Sequence, residues 1–213
     1  LAGGSTSTLV VLENSATGAR TIVRGSGFTV SPDDLPTGGT ISDVTFNQGA
    51  TTQATISGIS WGLVDFSNAL QAIGNSDDFG PIAALVNGSG TFTIDGSGAT
   101  DRLNLQDDLS NLLPLVTTPM NIIGTTFQDR LRGGIGNDTI TPGTKSDAFN
   151  YTYDEIDGTL GNDVIDLSNV GPRTYVDVDY EDIDSGVTIN VDGAANTGSV
   201  SGPGVTATII NPR

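Results

Sequence analysis

Residues 133–141 read GGIGNDTIT, a nine-residue unit with glycine at positions one, two and four, aspartate at six and a large apolar residue at eight. The segments 124–132 and 142–150 continue the same frame, so that Asp129, Asp138 and Asp147 stand nine residues apart. Each aspartate is followed two residues later by an apolar side chain: Leu131, Ile140 or Phe149. This spacing predicts a repeated turn-and-strand structure.

A fourth unit follows after seven further residues. Residues 158–166 read GTLGNDVID and bring Asp163 to the aspartate position. The glycine-rich part of each unit predicts a tight turn, because glycine accepts positive φ angles. The remaining three residues predict a short strand with its apolar side chain turned inward.

Two such units make one coil, so turns of alternate units stack on the same side. We therefore expect Asp129 above Asp147, and Asp138 above Asp163 after the interruption. Stacked carboxylates repel each other, and a hard cation between them removes the repulsion. Ca²⁺ accepts about six to eight oxygen ligands in flexible geometry, which carboxylates and backbone carbonyls supply. Gly-Asn-Asp turns also occur without metal, because Asn and Asp suit turn geometry.

Segment 124–166 resembles the RTX, or haemolysin-type, calcium-binding repeat proteins exported by Gram-negative bacteria. The resemblance implies a parallel β-roll, Ca²⁺ between its turns and export by a type I system. It implies carboxylate ligands from four aspartates: Asp129, Asp138, Asp147 and Asp163. It implies carbonyl ligands from six turn residues: Gly134, Gly136, Asn137, Gly143, Gly161 and Asn162. Gly124-Thr125 and Pro142 depart from the double glycine of the pattern.

The composition also favours a cation as the partner. The chain of 213 residues has a net charge of −17, which argues against nucleic acid and anionic membranes as partners. Seventeen of its 25 acidic residues lie after residue 100. It has no Cys and no His, so the usual zinc ligands, the thiol nucleophile and the imidazole base are missing. No apolar run is long enough to span a membrane. We expect a secreted, extracellular piece of a longer chain.

The rest of the sequence predicts a mainly β fold. Polar–apolar alternation predicts strands at 8–12, 20–23, 39–46 and 51–56, with a hairpin around residues 47–49. Helical spacing predicts short helices within 61–85, at 81–86 and at 107–113. Three C-terminal antiparallel strands are expected at 175–180, 187–191 and 205–210. The sequence thus predicts a β-rich domain with short helices over 1–120, then a parallel β-roll with capping strands over 121–213. The two regions form either independent units or sub-domains that share one continuous β stack.

Three functions are compatible with these patterns. The first is a non-catalytic calcium-binding module, structural or adhesive, that folds after export and contacts a cell surface or polysaccharide. The second is part of an extracellular enzyme acting on polysaccharide. The third is a carbohydrate-binding β domain with Trp61 as an exposed platform.

Three weaker motifs have simpler interpretations. Residues 58–62, GISWG, match the G-x-S-x-G nucleophile pattern, but the chain has no histidine to accept the serine proton. Residues 177–188 lack the glycine and glutamate of an EF-hand loop, so a solvated acidic strand is the simpler interpretation. Residues 96–104 resemble a repeat but lie one residue out of frame, which favours an isolated turn.

Overall fold

The computed structural model describes residues 8–144, 152–170, 174–183, 186–192 and 195–212. The fold in these ranges is mainly β, as predicted, with one large mixed sheet and one small parallel sheet. The strands are β1 Leu9–Asn14, β2 Ala19–Val30, β3 Pro36–Gln48, β4 Thr51–Gly62, β5 Phe92–Asp95, β6 Met120–Ile123, β7 Arg130–Arg132, β8 Thr139–Thr141, β9 Thr152–Asp157, β10 Gly161–Asp166, β11 Thr174–Asp179, β12 Thr188–Asp192, β13 Thr197–Gly202 and β14 Val205–Ile210.

Strands β1 to β4 form consecutive antiparallel hairpins. The four strands predicted here are confirmed, although β2, β3 and β4 extend well beyond the predicted bounds. The hairpin between β3 and β4 closes where expected, with Gln48 opposite Thr51 and Gly49 at a φ of 61°. Apolar residues such as Val23, Ile41 and Val44 are almost completely buried along these strands.

Two helices follow β4 and cover one face of the sheet. Helix α1, Leu63–Ser76, buries Leu63, Phe66 and Ala69, whose spacing places them on one face, and packs against β3. Helix α2, Gly80–Asn87, has proline in its first turn, where a missing N–H costs nothing. Both predicted helices are confirmed.

The helix predicted at 107–113 is shorter than expected. Residues Leu105–Asp108 form helix α3, and a 3₁₀ turn follows at Leu113–Leu115. The Asn104 side chain caps α3 by accepting a hydrogen bond from the Asp107 N–H.

From β6 to β11 successive strands alternate between the two sheets. Strands β6, β8 and β10 lie side by side and parallel in the large sheet. Strands β7, β9 and β11 form the three-stranded parallel sheet. The chain therefore coils, and each full coil returns to the sheet that it left. The inward-facing residues Ile122, Ile140 and Ile165 pair in register along the large sheet.

The large sheet is continuous across the predicted domain boundary near residue 120. Strand β5 pairs in parallel with β6, with Phe92 opposite Met120. At the other end, β14 pairs in parallel with β10, and β13 and β12 complete the sheet in antiparallel order. Strands are found at the three predicted C-terminal positions, and β13 is an additional strand. The predicted antiparallel arrangement is wrong for β11, which pairs in parallel with β9 in the small sheet. Among the described residues, no helix is both long and apolar enough to cross a membrane.

Candidate metal centre

Four buried aspartates mark the strands of the coil. Asp129 and Asp138 directly precede β7 and β8, while Asp154 and Asp163 lie within β9 and β10. Their exposed fractions are 1%, 1%, 0% and 5%. Aspartate is rarely this buried unless its oxygens have partners, so these side chains have a specific structural or binding role.

Asp138 and Asp163 stack on adjacent coils, as the sequence predicts. The Asp138 backbone N–H donates to Oδ1 of Asp163 at 2.9 Å. The Asp138 carbonyl in turn accepts from the N–H of Val164 at 2.8 Å. On the preceding coil, the N–H of Met120 donates to Oδ1 of Asp138 at 2.9 Å. Each carboxylate thus ties its own turn to the coil before it.

Asp129 stacks with Asp154, which lies in the seven-residue interruption between the predicted units. The Asp129 N–H donates to Oδ1 of Asp154 at 2.8 Å, and Leu131 pairs with Ile156. The expected neighbour of Asp129 was Asp147, which lies outside the described residues.

A second carboxylate oxygen closes each turn locally. Oδ2 of Asp138 accepts from the N–H of Gly134 at 2.8 Å, four residues earlier. Oδ2 of Asp129 accepts in the same way from Thr125 at 2.7 Å. In the third turn, the Thr159 hydroxyl approaches Oδ2 of Asp163 at 3.4 Å. The equivalent bonds show that the repeats seen in the sequence form equivalent turns.

The glycines of these turns mainly allow neighbouring backbone segments to approach closely, and only some of them have a positive φ. Gly143 and Gly161 have φ angles of 85° and 114°. Gly134 and Gly136 are not among the described residues with positive φ, so the conformational reason predicted for them is wrong. A Cβ on Gly134 would instead collide with the Val116 carbonyl oxygen, and one on Gly136 with the carbonyl oxygen of Thr117.

The predicted ligand residues fall into two separate turn stacks. In the first, a Cβ on Gly161 would collide with the Gly136 carbonyl oxygen, and the Asn162 N–H donates to the Asn137 side chain at 2.9 Å. This stack also contains Asp138 and Asp163. In the second, Gly143 lies against the carbonyl oxygens of Gly124 and Thr125. The structure therefore places Gly143 elsewhere and brings seven predicted residues together in the first stack: Gly134, Gly136, Asn137, Asp138, Gly161, Asn162 and Asp163.

The first stack carries negative charge without a cationic side chain. Among the described residues, neither Asp138 nor Asp163 forms an ion pair with lysine or arginine. Burial raises the pKa of Asp163 to about 7. Burial also raises the pKa of Asp138, although hydrogen bonds from Met120 and Gly134 oppose the rise. A coil arginine, Arg132, pairs with Asp157 and Asp182 instead.

Tyr180 adds a buried polar group beside this stack. Its hydroxyl oxygen has no hydrogen-bond partner within the described part of the chain, and the residue is 7% exposed. Burial, followed by the negative charge of Asp163, raises the pKa of Tyr180 to about 12. A buried hydroxyl without a partner is unusual, because its desolvation is not compensated.

The donor set fits a calcium ion held by few carboxylates and several carbonyls. Within the described ranges, no three acidic side chains converge on one point. Each carboxylate oxygen of Asp138 accepts one N–H, which leaves a further lone pair on each oxygen. Two carboxylates would fill only part of a hard-cation shell, and turn carbonyls such as that of Gly136 would have to supply the rest.

Comparisons leave the family open. Neither family models, curated proteins nor solved structures give a match to this chain.

The structure decides the interpretation of one weaker motif, residues 58–62, and of the proposed Trp61 platform. Ser60 is exposed within β4 and is not on a strand-to-helix elbow, since the helix begins only at Leu63. Trp61 is 4% exposed and donates its Nε1 hydrogen to Ser89 Oγ at 2.8 Å, so the predicted exposed platform is wrong.

The segment 96–104 joins the coil, contrary to the interpretation as an isolated turn. Asn104 forms a parallel bridge with Arg130, and the Leu103 N–H donates to Oδ1 of Asp129 at 2.9 Å. Residues 177–179 of the EF-hand-like segment lie in β11, in agreement with an acidic strand.

Proposed function

We propose that residues 120–166 form a calcium-binding parallel β-roll of the RTX type within a secreted, non-catalytic structural or adhesive module. The observation that carries the proposal is the stack of Asp138 on Asp163. Both carboxylates are buried, they lie on adjacent coils, and no cationic side chain in the described ranges pairs with them. A bound Ca²⁺ would supply the compensating positive charge at that stack.

The residues of the stack have distinct parts in holding the ion. Asp138 and Asp163 would provide carboxylate oxygens, each already oriented by a backbone N–H from the preceding coil. Gly136 and Gly161 keep the two turns close enough for their carbonyls to contribute. The bond between Asn162 and Asn137 fixes the separation of the turns. The ion would therefore tie one coil to the next.

Calcium binding of this kind would couple folding to location. Without the ion, self-repulsion from a net charge of −17 favours an expanded chain that an exporter can move. Outside the cell, high free Ca²⁺ would bind only the folded coil and so stabilise it.

The test is to measure calcium binding by titration calorimetry and the unfolding temperature with and without Ca²⁺. Mg²⁺ serves as the competing ion. We expect Ca²⁺, but not Mg²⁺, to raise the unfolding temperature, and the gain to disappear in Asp163→Asn. Asp33→Asn is the matched control, because it removes the same charge from an exposed turn remote from the coil. Absence of calcium binding by the wild type would reject the proposal and leave the aspartates as turn-closing groups alone.

A second candidate function, glycan binding, rests on a different surface. Tyr153 and Tyr175 pair across β9 and β11 with 44% and 63% exposure, and the Tyr153 hydroxyl donates to Asp177 at 3.0 Å. Two exposed aromatic rings beside a carboxylate form a flat amphipathic surface of the kind that sugar rings stack on. Affinity electrophoresis in neutral and acidic polysaccharides tests this function. Tyr175→Ala should lose the retardation, while Ile189→Ala, another exposed residue, should keep it.

A further inference from the structure

An apolar cavity of about 260 Å³ lies in the N-terminal half, with none of the stacked aspartates in its wall. Residues of β3, β4 and β5 form one side of it, and α1, α2 and the segment 109–116 form the other. The wall reaches Met120 and Val116, both of which are 1% exposed, so the cavity extends into the core. Its depth excludes a partner protein's surface as the main occupant and indicates a slender molecule.

The wall offers hydrocarbon contacts almost exclusively. Thr21 and Trp61 are the only lining side chains with a nitrogen or oxygen atom, and no ionisable residue in the described ranges lines the cavity. The indole N–H of Trp61 is already donated to Ser89. A ligand in the cavity therefore needs no hydrogen-bonding groups. An apolar cavity of this kind stays dry unless an apolar ligand fills it.

The cavity is also accessible from the surface. Leu12, Phe46 and Leu70 line it and are 39%, 39% and 40% exposed, so they form its mouth. A second cavity of about 220 Å³ shares Leu12, Phe66 and Leu70 with the first and has the exposed Leu35 in its wall. A cavity of about 150 Å³ already accommodates benzene. The two spaces together suit a chain better than a single ring.

We propose that this cavity binds a single alkyl chain, with its polar head group left in water beside Leu70. A head group without negative charge is favoured, because the chain carries a net charge of −17 and Asp34 is the only ionisable residue in the wall of the second cavity among the described residues. The site meets the coil at Met120, but no aspartate of the coil lines it and binding does not require calcium.

Trp61 makes the proposal directly measurable. It is the only tryptophan of the chain, it lines the cavity, and it is 4% exposed. Bromine quenches indole fluorescence on contact, so ω-bromododecanol should remove at least half of the Trp61 emission at saturation. Unbrominated dodecanol should reverse the quenching by competition. Absence of quenching at the solubility limit would overturn the proposal.

Variants at the mouth separate this site from general surface adsorption. Leu70→Asp places a charge where the alkyl chain must pass and should weaken binding by at least about tenfold, which corresponds to about 1.4 kcal/mol. Leu115→Asp is the control: Leu115 is 44% exposed but does not line the cavity, so binding should stay unchanged. Equal weakening in both variants, with unchanged circular dichroism, would show adsorption and overturn the site.

A chain-length series tests the shape of the site and does not depend on any variant folding. Affinity should rise by about fourfold for each added methylene until the cavities are full, and then level off. A rise without a limit would indicate micelle-like association and contradict a bounded site. Dodecanoate should bind more weakly than dodecanol, and the reverse order would contradict the preference against a negatively charged head group.

Discussion

Replacing Asp163 by asparagine should stabilise the protein in the absence of metal. The asparagine side chain keeps an oxygen for the Asp138 N–H, and its amide nitrogen faces the Thr159 hydroxyl, which can accept a hydrogen bond. The substitution therefore removes the buried charge while preserving the contacts. Because a buried unpaired carboxylate opposes folding when ionised, its removal should favour the folded state.

The magnitude follows from the pKa of Asp163, which burial raises from 3.8 to about 7. The folded state holds this proton more tightly than the unfolded state, so ionisation of Asp163 lowers stability as the pH rises from 3.8 towards 7. Above pH 7 the loss is complete. The asparagine variant avoids it, and its advantage should be up to about 4 kcal/mol at about pH 8 and about 2 kcal/mol at about pH 5.

Urea unfolding at several pH values in EGTA measures this difference, with Asp33→Asn as a charge-matched control that should show no such trend. At about pH 8, saturating Ca²⁺ should reduce the variant's advantage from up to about 4 kcal/mol to about 1 kcal/mol. The wild type gains about 2.7 kcal/mol at about one hundred times the dissociation constant, while the variant gains nothing. One result would refute the argument from buried charge. In it, the variant is less stable than the wild type in EGTA, and by the same amount at the alkaline and acidic ends of the pH series.

Three further substitutions test local features by urea or thermal unfolding. Gly161→Ala should destabilise the protein by at least about 2 kcal/mol, because its φ is 114° and its Cβ would collide with the Gly136 carbonyl; wild-type stability would contradict the close turn stack. Gly74→Ala should instead stabilise α1 by about 0.5–1 kcal/mol, since nothing lies within 4 Å of its Cβ position, and a loss would show hidden crowding. Ser89→Ala should cost about 1–3 kcal/mol by removing the acceptor of the buried Trp61 N–H, and a red-shifted Trp61 emission without a stability loss would contradict this.

The coil could be predicted from the sequence, but the position of the seven-residue interruption within it could not. An aspartate followed two residues later by an apolar side chain marks each strand, and this pattern occurs at both Asp147 and Asp154. Counting forward from Asp138 selects Asp147, whereas counting nine residues back from Asp163 selects Asp154. The structure aligns Asp154 with Asp129. Local spacing alone does not distinguish the two frames. The choice depends on which strand pairs with the neighbouring coil.

The strands and helices of the N-terminal half could be predicted from the sequence, but the way in which they pack together could not. Alternation and helical spacing locate β1 to β4, α1 and α2, because each buries one face. The same alternation does not say which faces oppose each other, so the cavity between α1 and the sheet has no sequence signal. Trp61 illustrates the limit: its position at a strand end is compatible with exposure, yet it is buried and bonded to Ser89. Strand β13 was missed, because its sequence, TGSVSG, contains two glycines and one large apolar residue.

Because β5 pairs directly with β6, a cut between the two halves of the protein would break a continuous sheet. Four residue pairs, from Phe92 with Met120 to Asp95 with Ile123, join the antiparallel half to the coil. A cut near residue 120 would bare the hydrogen-bonding edge of both strands, and bared edges recruit other chains. Fragments made there should precipitate, whereas the intact chain should melt in one step.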